Sequence, residues 1–203
     1  WQDKVDNNSF FTKMVANIYE KLGEADKADK LYEEYLSQNS GDHFAYKEKI
    51  KLRLKNKSAE KAVEELRKIL SIGKRAKNPH LHILLAEKLE KINKYEEAVK
   101  EYKKTLELDP ENKFALKQLG FSLYKTGKYK EALPYLKEVF RNDPGDYYTR
   151  SVLMNIFQEL ESEKEGIEYF REIINNNPVF KNLWGMVKKL SKRLGEREDD
   201  KQD

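Results

Sequence analysis

The sequence contains no cysteine among its 203 residues, and it has only five prolines and nine glycines. The absence of cysteine excludes disulfide bonds, thiol nucleophiles and cysteine-ligated metals, and it suits either redox environment. The sequence has no apolar run near the roughly 18 to 20 residues that a transmembrane helix needs, and no signal peptide. A cytoplasmic location is therefore favoured. An upstream anchor or export signal is left open, because the sequence begins at Trp1 and not at a methionine.

Residues suited to catalysis or metal binding are few. The three histidines are His43, His80 and His82, and the last two stand two positions apart, so a helix directs them away from each other. The sequence has no glycine-rich phosphate loop and no nucleophile elbow, and chance pairs of acidic residues are expected where 37% of residues are charged. We therefore expect no enzyme activity, cofactor, metal or small-molecule substrate, and we place all three histidines on the solvated surface, with His80 near a binding groove.

The net charge is small, at +4 from 40 basic and 36 acidic residues. Lysine and glutamate are interleaved along the chain, which is typical of solvated helix faces with pairs three or four residues apart. Because the basic residues are mostly lysine and are balanced by nearby glutamates, the field over the surface should be weak. Nucleic-acid binding is therefore the less favoured reading, and a steep loss of affinity with salt would support it.

The most informative segment is residues 113–146. It contains two apolar stripes at helical spacing, formed by Leu116, Leu119 and Leu123 and by Ala132, Leu136 and Val139. Gly127 lies between them, where it can end the first helix in a left-handed conformation, and Pro144 stops the second helix. The pattern predicts two antiparallel helices joined by a tight turn. Such a hairpin cannot bury its apolar faces alone, so it must stack on others.

Shifting this unit by 34 residues finds it again on both sides, in residues 9–42, 79–112 and 147–180. Residues 43–78 form a weaker copy that keeps only part of the first stripe. The five repeats and one closing helix, residues 181–194, predict a single array over residues 9–194. Residues 1–8 are expected to be a leader with Asn8 or Ser9 as the first N-cap, and residues 195–203 a disordered tail.

These repeats resemble the tetratricopeptide repeat family. The resemblance rests on the small residues where helices should touch, on an aromatic residue or leucine one turn after the alanine, and on the proline near the end of several copies. Gly166 in place of alanine and Pro134 inside a predicted helix depart from the pattern, and we expect only a slight bend at Pro134. The resemblance implies an all-α, right-handed superhelical α-solenoid of helix-turn-helix hairpins with a capping helix. It also implies a concave groove that binds peptides or helices of partner proteins.

The first helix of each repeat should line that groove. By their offset from the packing stripes, the candidate peptide-binding residues are Lys13, Asn17, Lys47, Lys51, Lys117, Phe121, Tyr124, Tyr148 and Asn155. The lysines predict a partner that is acidic, and the aromatic residues predict apolar anchors on it. If the aromatic residues are free of the core, Phe121→Ala with Tyr124→Ala should weaken binding at an almost unchanged melting temperature. Self-assembly into homo-oligomers through the leader or the Trp184 helix is the alternative function.

One subtype of the family, the carboxylate clamp that holds the C-terminus of chaperones, fits poorly. Lys13 and Asn17 match its first two positions, but Glu48 stands where an asparagine is needed. His80 and Leu84 stand where basic residues are needed. We therefore expect a scaffold of a different specificity.

Overall fold

The structure is a computed structural model that describes the backbone of residues 2–195 and the side chains of residues 10–195. Within these residues the fold is all-α, as predicted, with two short 3₁₀ helices and no strand. The α-helices are α1 (Gln2–Leu22), α2 (Ala25–Gln38), α3 (His43–Arg53), α4 (Ala59–Leu70), α5 (Pro79–Lys91), α6 (Tyr95–Leu108), α7 (Lys113–Lys125), α8 (Tyr129–Asn142), α9 (Tyr147–Glu159), α10 (Glu163–Asn176) and α11 (Trp184–Arg193). Trp1 and nearly all of the tail predicted to be disordered lie outside the described residues.

The chain divides into two compact units, Trp1–Asn112 and Lys113–Asp203, and the division falls at a predicted repeat boundary. In the first unit, α1 packs on α2 and α5 packs on α6 within their hairpins. Between hairpins, α3 packs on α2 and α5 packs on α4. In the second unit α7 packs on α8, α8 on α9, and α10 on both α9 and α11. Each unit is therefore a stack in which the first helix of one hairpin contacts the second helix of the hairpin before it.

Four of the five hairpins turn in the same way. A hydrogen bond from a backbone N–H to the carbonyl oxygen five residues earlier closes each turn, with a length of 2.9 Å. The four donor–acceptor pairs are Glu24 to Tyr19, Lys94 to Leu89, Lys128 to Leu123 and Ser162 to Phe157. The residue before each donor has a positive φ, and at Gly127 it is 73°. This confirms the predicted left-handed helix end at Gly127. The weaker repeat 43–78 differs, since α3 ends at Arg53 and Ser58 caps α4.

Small residues stand where two helices come closest. A Cβ atom on Gly120 would lie 2.7 Å from Cδ2 of Leu136, so α7 and α8 could not keep their spacing with a larger residue. Gly166 departs from the family pattern for the same reason, because a Cβ there would lie 2.8 Å from Leu190 and 2.9 Å from Phe157. The glycine lets the closing helix α11 and Phe157 approach α10 together.

The ends of the chain differ from the sequence-based expectation. Helix α1 begins at Gln2, so most of the predicted leader is helical backbone, and neither Asn8 nor Ser9 starts the helix. The closing segment is a 3₁₀ helix, Pro178–Leu183, followed by α11, rather than one helix over residues 181–194. It closes α10 with Leu183, Val187 and Leu190, which are buried. Helix α8 continues through Pro134 without a break, as expected.

Candidate functional site

The predicted site residues of the second unit do come together, on a surface that we call the α7–α9 surface: Lys117, Phe121, Tyr124, Tyr148 and Asn155. The rings of Phe121 and Tyr148 lie 4.9 Å apart between centroids and are tilted by 58°. Tyr148 is 51% exposed, whereas Phe121 is only 9% exposed. The prediction that Phe121 is free of the core is therefore wrong. Phe121 is the buried support on which the exposed Tyr148 ring rests.

The other half of this surface is polar. Asn155 of α9 donates a hydrogen bond from Nδ2 to Oη of Tyr124 on α7, at 3.1 Å. Tyr124 also lies 5.6 Å from the Tyr129 ring of α8, so it is held from two sides. Asn155 is exposed, and within the described residues only its amide nitrogen, not its carbonyl oxygen, forms a hydrogen bond. The hydrogen bond between Asn155 and Tyr124 therefore holds the Asn155 amide in place beside the Tyr124 ring.

Lys117 is not a free cation, because it forms an ion pair with Asp146. Asp146 is also the N-cap of α9, where Oδ1 accepts from the backbone N–H of Tyr148 at 3.0 Å and of Thr149 at 3.2 Å. Its Oδ2 accepts from the Thr149 hydroxyl at 2.9 Å. Burial alone would raise the pKa of Asp146, but Lys117 and the Thr149 donors outweigh it, and the pKa lies below its usual range.

The same arrangement occurs in the first unit. Lys13 of α1 lies 2.6 Å from Oδ2 of Asp42, which caps α3 by accepting from the Ala45 N–H at 2.8 Å. The Tyr35 hydroxyl donates to the same carboxylate, at 2.8 Å. Burial opposes ionisation of Asp42, but these donors prevail and its pKa is lowered. At the next boundary Asn78 takes the aspartate's place, capping α5 and donating from Nδ2 to the His43 carbonyl at 3.1 Å.

The two remaining predicted lysines, Lys47 and Lys51, share one carboxylate. Glu48 lies 2.5 Å from Lys47 and 3.0 Å from Lys51, and Lys51 also lies 4.0 Å from Glu20. Burial would raise the pKa of Glu48, but its two lysine partners lower it overall. Asn17 is exposed on α1 and does not join this cluster. All four lysines expected to select an acidic partner therefore have carboxylates of this chain as partners.

The expectation that all three histidines are solvated is wrong for His82. Its ring is buried, with Nδ1 at 2.6 Å from Oε2 of Glu101 on α6 and Nε2 at 2.9 Å from the Ala76 carbonyl. His80 is half-buried 5.6 Å from the Phe44 ring, and burial lowers its pKa. The signal for His82 in the sequence was its position between the apolar residues Leu81 and Ile83. Its partners belong to other segments, and no local pattern shows them.

A cavity of about 470 Å³ lies next to His82 in the first unit, lined also by Arg67, Glu101, Lys104 and Leu108. Three of its charged groups form ion pairs, since Lys104 contacts Glu101 at 3.0 Å and Arg67 pairs with Glu97. Over the described side chains, no cluster of three or more histidine, aspartate or glutamate residues could hold a metal ion. Of the helices in residues 2–195, none combines the length and apolarity that a membrane crossing requires.

Comparison with known families identifies the repeats. A model described as TPR repeat matches residues 91–127, and two models of the tetratricopeptide repeat match residues 14–42 and 115–146. These matches confirm the resemblance to the tetratricopeptide repeat family that was drawn from the sequence. A search of curated protein sequences gives no significant match.

Solved structures show the same fold at low sequence identity. MamA from Desulfovibrio magneticus RS-1 is 24% identical with a TM-score of 0.56, and the alignment covers 76% of this chain and 87% of that protein. YrrB, described as a TPR protein with an unusual peptide-binding site, is 21% identical with a TM-score of 0.57, covering 82% and 85%. Another MamA structure, 14% identical, has a TM-score of 0.59 and covers 83% and 97%. The predicted fold class is confirmed, and proteins of this fold are generally non-catalytic scaffolds for protein–protein interaction.

Proposed function

We propose that this chain is a non-catalytic scaffold that holds a peptide or helix of a partner protein on the first helices of its repeats. The α7–α9 surface is the main anchor. The observation that carries this proposal is the exposed Tyr148 ring, fixed on the buried Phe121 and flanked by the Asn155–Tyr124 hydrogen bond.

The chemistry of this surface suits an apolar anchor next to a peptide group. Tyr148 offers a rigid ring face with little conformational entropy to lose on binding, and Phe114 of α7 is also exposed. Asn155 can accept a hydrogen bond from a peptide N–H through its carbonyl oxygen. A partner residue that packs on Tyr148 would therefore place its own backbone within reach of a fixed amide.

The acidic character of the partner is a secondary part of the proposal. An incoming carboxylate would have to share Lys117 with Asp146, and Lys13 with Asp42. Displacing an internal, hydrogen-bonded carboxylate offsets most of the gain from a new ion pair. We therefore expect partner affinity to depend strongly on apolar contact and only weakly on salt concentration.

The test compares the partners captured by three forms of the chain in a pull-down with mass spectrometry. Tyr148→Ala with Asn155→Ala should lose the partner that the unmodified chain captures. Tyr147→Ala is the matched control, since Tyr147 is a neighbouring exposed tyrosine whose ring lies 4.9 Å from the Arg150 guanidinium. Synthetic peptides from the captured protein are then titrated against all three forms. Equal capture by the double variant would refute the site.

We also propose that the chain has neither catalytic activity nor a nucleic-acid partner of its own. The pairing of Lys13, Lys47, Lys51 and Lys117 with carboxylates supports the second statement, because none of the lysines predicted to line the groove is an unpaired cation that could hold a phosphate. Titration with single-stranded RNA and DNA at low salt is the direct check. Salt-sensitive binding would contradict the proposal.

A further inference from the structure

Helix α1 carries an uncovered apolar stripe, formed by Phe11, Val15, Ile18 and Leu22. These side chains are 57%, 38%, 50% and 67% exposed, at spacings of four, three and four residues that place them on one side of the helix. Ala16 is buried on the other side, against Tyr32 and Ala45. A contiguous apolar strip of this kind is typical of a surface that another element covers.

The other repeats show what kind of element this face accepts. In the repeat frame the first three stripe positions correspond to Thr149, Leu153 and Ile156 on α9, which are fully buried where α8 packs on α9. Leu81 and Leu85 hold the first two positions on α5, and both are buried where α4 packs on α5. The stripe on α1 is therefore a face that receives a helix, and no helix in the described part of the chain covers it.

We propose that the stripe binds α1 of a second copy of this chain, antiparallel across a two-fold axis. The stripe reads the same in both directions, because its spacings are four, three and four residues. An antiparallel copy therefore places Phe11 opposite Leu22 of the second copy and Val15 opposite Ile18, so each large side chain meets an apolar one. Such an isologous contact closes on itself and forms a dimer rather than a fibre.

The charges near the stripe are compatible with this register. Lys21 is the exposed charged residue among the described side chains of α1, and it faces Thr12 of the second copy. Since nine residues of helix separate positions 12 and 21, the two Lys21 ammonium groups lie about 13 Å apart along the axis, at a rise of roughly 1.5 Å per residue. That separation exceeds the Debye length of about 10 Å at moderate salt, so repulsion between the copies is weak.

The opposite end of the chain is a poorer partner for the stripe. Helix α11 turns Lys189 and Lys192 outward, and both are exposed. Stacking α1 on that face would bury ammonium groups against apolar side chains, which is costly without a counter-ion. A contact between two α1 helices is smaller than the roughly 800 Å² per partner of a standard interface. We therefore expect a reversible dimer with a micromolar dissociation constant.

Sedimentation velocity of the full chain, from low to several hundred micromolar, tests the proposal. The unmodified chain should show a monomer–dimer equilibrium, and Ile18→Glu should raise its dissociation constant at least tenfold by placing one carboxylate from each copy in the contact. Val179→Glu is the control, because Val179 is an apolar residue that is 83% exposed on the C-terminal 3₁₀ helix. That variant should dimerise like the unmodified chain. Circular dichroism should show unchanged helix content, since each changed side chain is exposed.

Mixing two variants tests the register. Val15→Lys and Ile18→Glu should each be monomeric alone, and an equimolar mixture should form a heterodimer, because the antiparallel register places the two introduced charges opposite each other. A parallel pairing would set position 15 against position 15 and give no rescue. A monomer at all concentrations, an unaffected Ile18→Glu dimer, equal loss in Val179→Glu, or no rescue on mixing would each overturn the proposal. Tyr148→Ala should leave the dimer intact, which separates this contact from the α7–α9 surface.

Discussion

Replacing Gly120 by alanine would test whether the close packing of α7 on α8 outweighs the higher helix propensity of alanine. The added Cβ would lie 2.7 Å from Cδ2 and 2.8 Å from Cγ of Leu136. Leu136 is fully buried, so it cannot turn away into solvent. Gly185, in α11, has no heavy atom within 4 Å of the same added carbon. Both glycines belong to the Lys113–Asp203 unit and to helices, so the two substitutions differ mainly in the available space.

The expected magnitudes have opposite signs. Gly185→Ala should raise the free energy of unfolding by roughly 0.5 kcal/mol, because alanine has the higher helix propensity. Gly120→Ala gains a similar amount, but relieving the contact requires a shift of about 1 Å, and overpacking a core costs about 1–3 kcal/mol. The net result should be a loss of about 0.5–2 kcal/mol.

Urea unfolding followed by far-UV circular dichroism measures both variants against the unmodified chain. Because both positions lie in one compact unit, they report on the same transition even when the two units unfold separately. The midpoint should fall for Gly120→Ala and rise slightly for Gly185→Ala. Equal stabilisation by the two substitutions would refute the reasoning, since it would mean that α7 and α8 have room for a methyl group.

Three further predictions concern the site and its supports. Asp146→Asn keeps an N-cap but loses the ion pair to Lys117 of α7. The free energy of unfolding at neutral pH should therefore fall by up to about 1 kcal/mol, and this difference from the unmodified chain should vanish in acid. His82→Leu removes the hydrogen bonds to Glu101 and to the Ala76 carbonyl and should cost about 1–3 kcal/mol, whereas His80→Leu should be nearly neutral. Phe121→Ala should cost about 3–5 kcal/mol, whereas Tyr148→Ala should lose partner binding with little change in melting temperature.

A specific result would contradict each of these three predictions. The pKa of Asp146 is lower in the folded chain, so its contribution is present above the unfolded-state pKa and is lost as pH falls through the folded value. Urea midpoints at neutral and acid pH check this, and a deficit that is the same at both would exclude the ion pair as its cause. Thermal melts compare the two histidine variants, and equal losses would mean that the hydrogen bonds of His82 contribute nothing. A melting temperature unaffected by Phe121→Ala would restore the original assignment of Phe121 to the exposed surface.

The repeat architecture was readable from the sequence because its determinants are local. The stripes Leu119–Leu123 and Ala132–Leu136, and Gly127 at a positive φ, act within one hairpin, and the period repeats them. The weaker second repeat was also visible, and its turn does differ from the other four. Helix ends were less predictable, since α1 starts at Gln2 and continues through both Asn8 and Ser9, the residues expected to cap it.

The candidate site was only half predictable. The repeat frame correctly brought Tyr124, Tyr148 and Asn155 to one surface, since equivalent positions on successive first helices are neighbours. It could not show that Tyr148 covers Phe121, because burial of one ring by another depends on the spacing of α7 and α9. It also could not show that Lys117 would be neutralised, because Asp146 serves at the same time as the cap of the next helix.

The sequence by itself determined the class of the fold, the helix-turn-helix hairpins of the repeats and the turns within four of them. All of these follow from short-range periodicity and from residues whose backbone preferences hold in any context. Only the tertiary structure decided that the four predicted site lysines pair with carboxylates, that His82 is buried against Glu101, and that no described helix covers the stripe on α1. Those properties depend on contacts between different repeats, where the identity of the neighbouring helix, and not the local pattern, sets the charge balance and the exposed area.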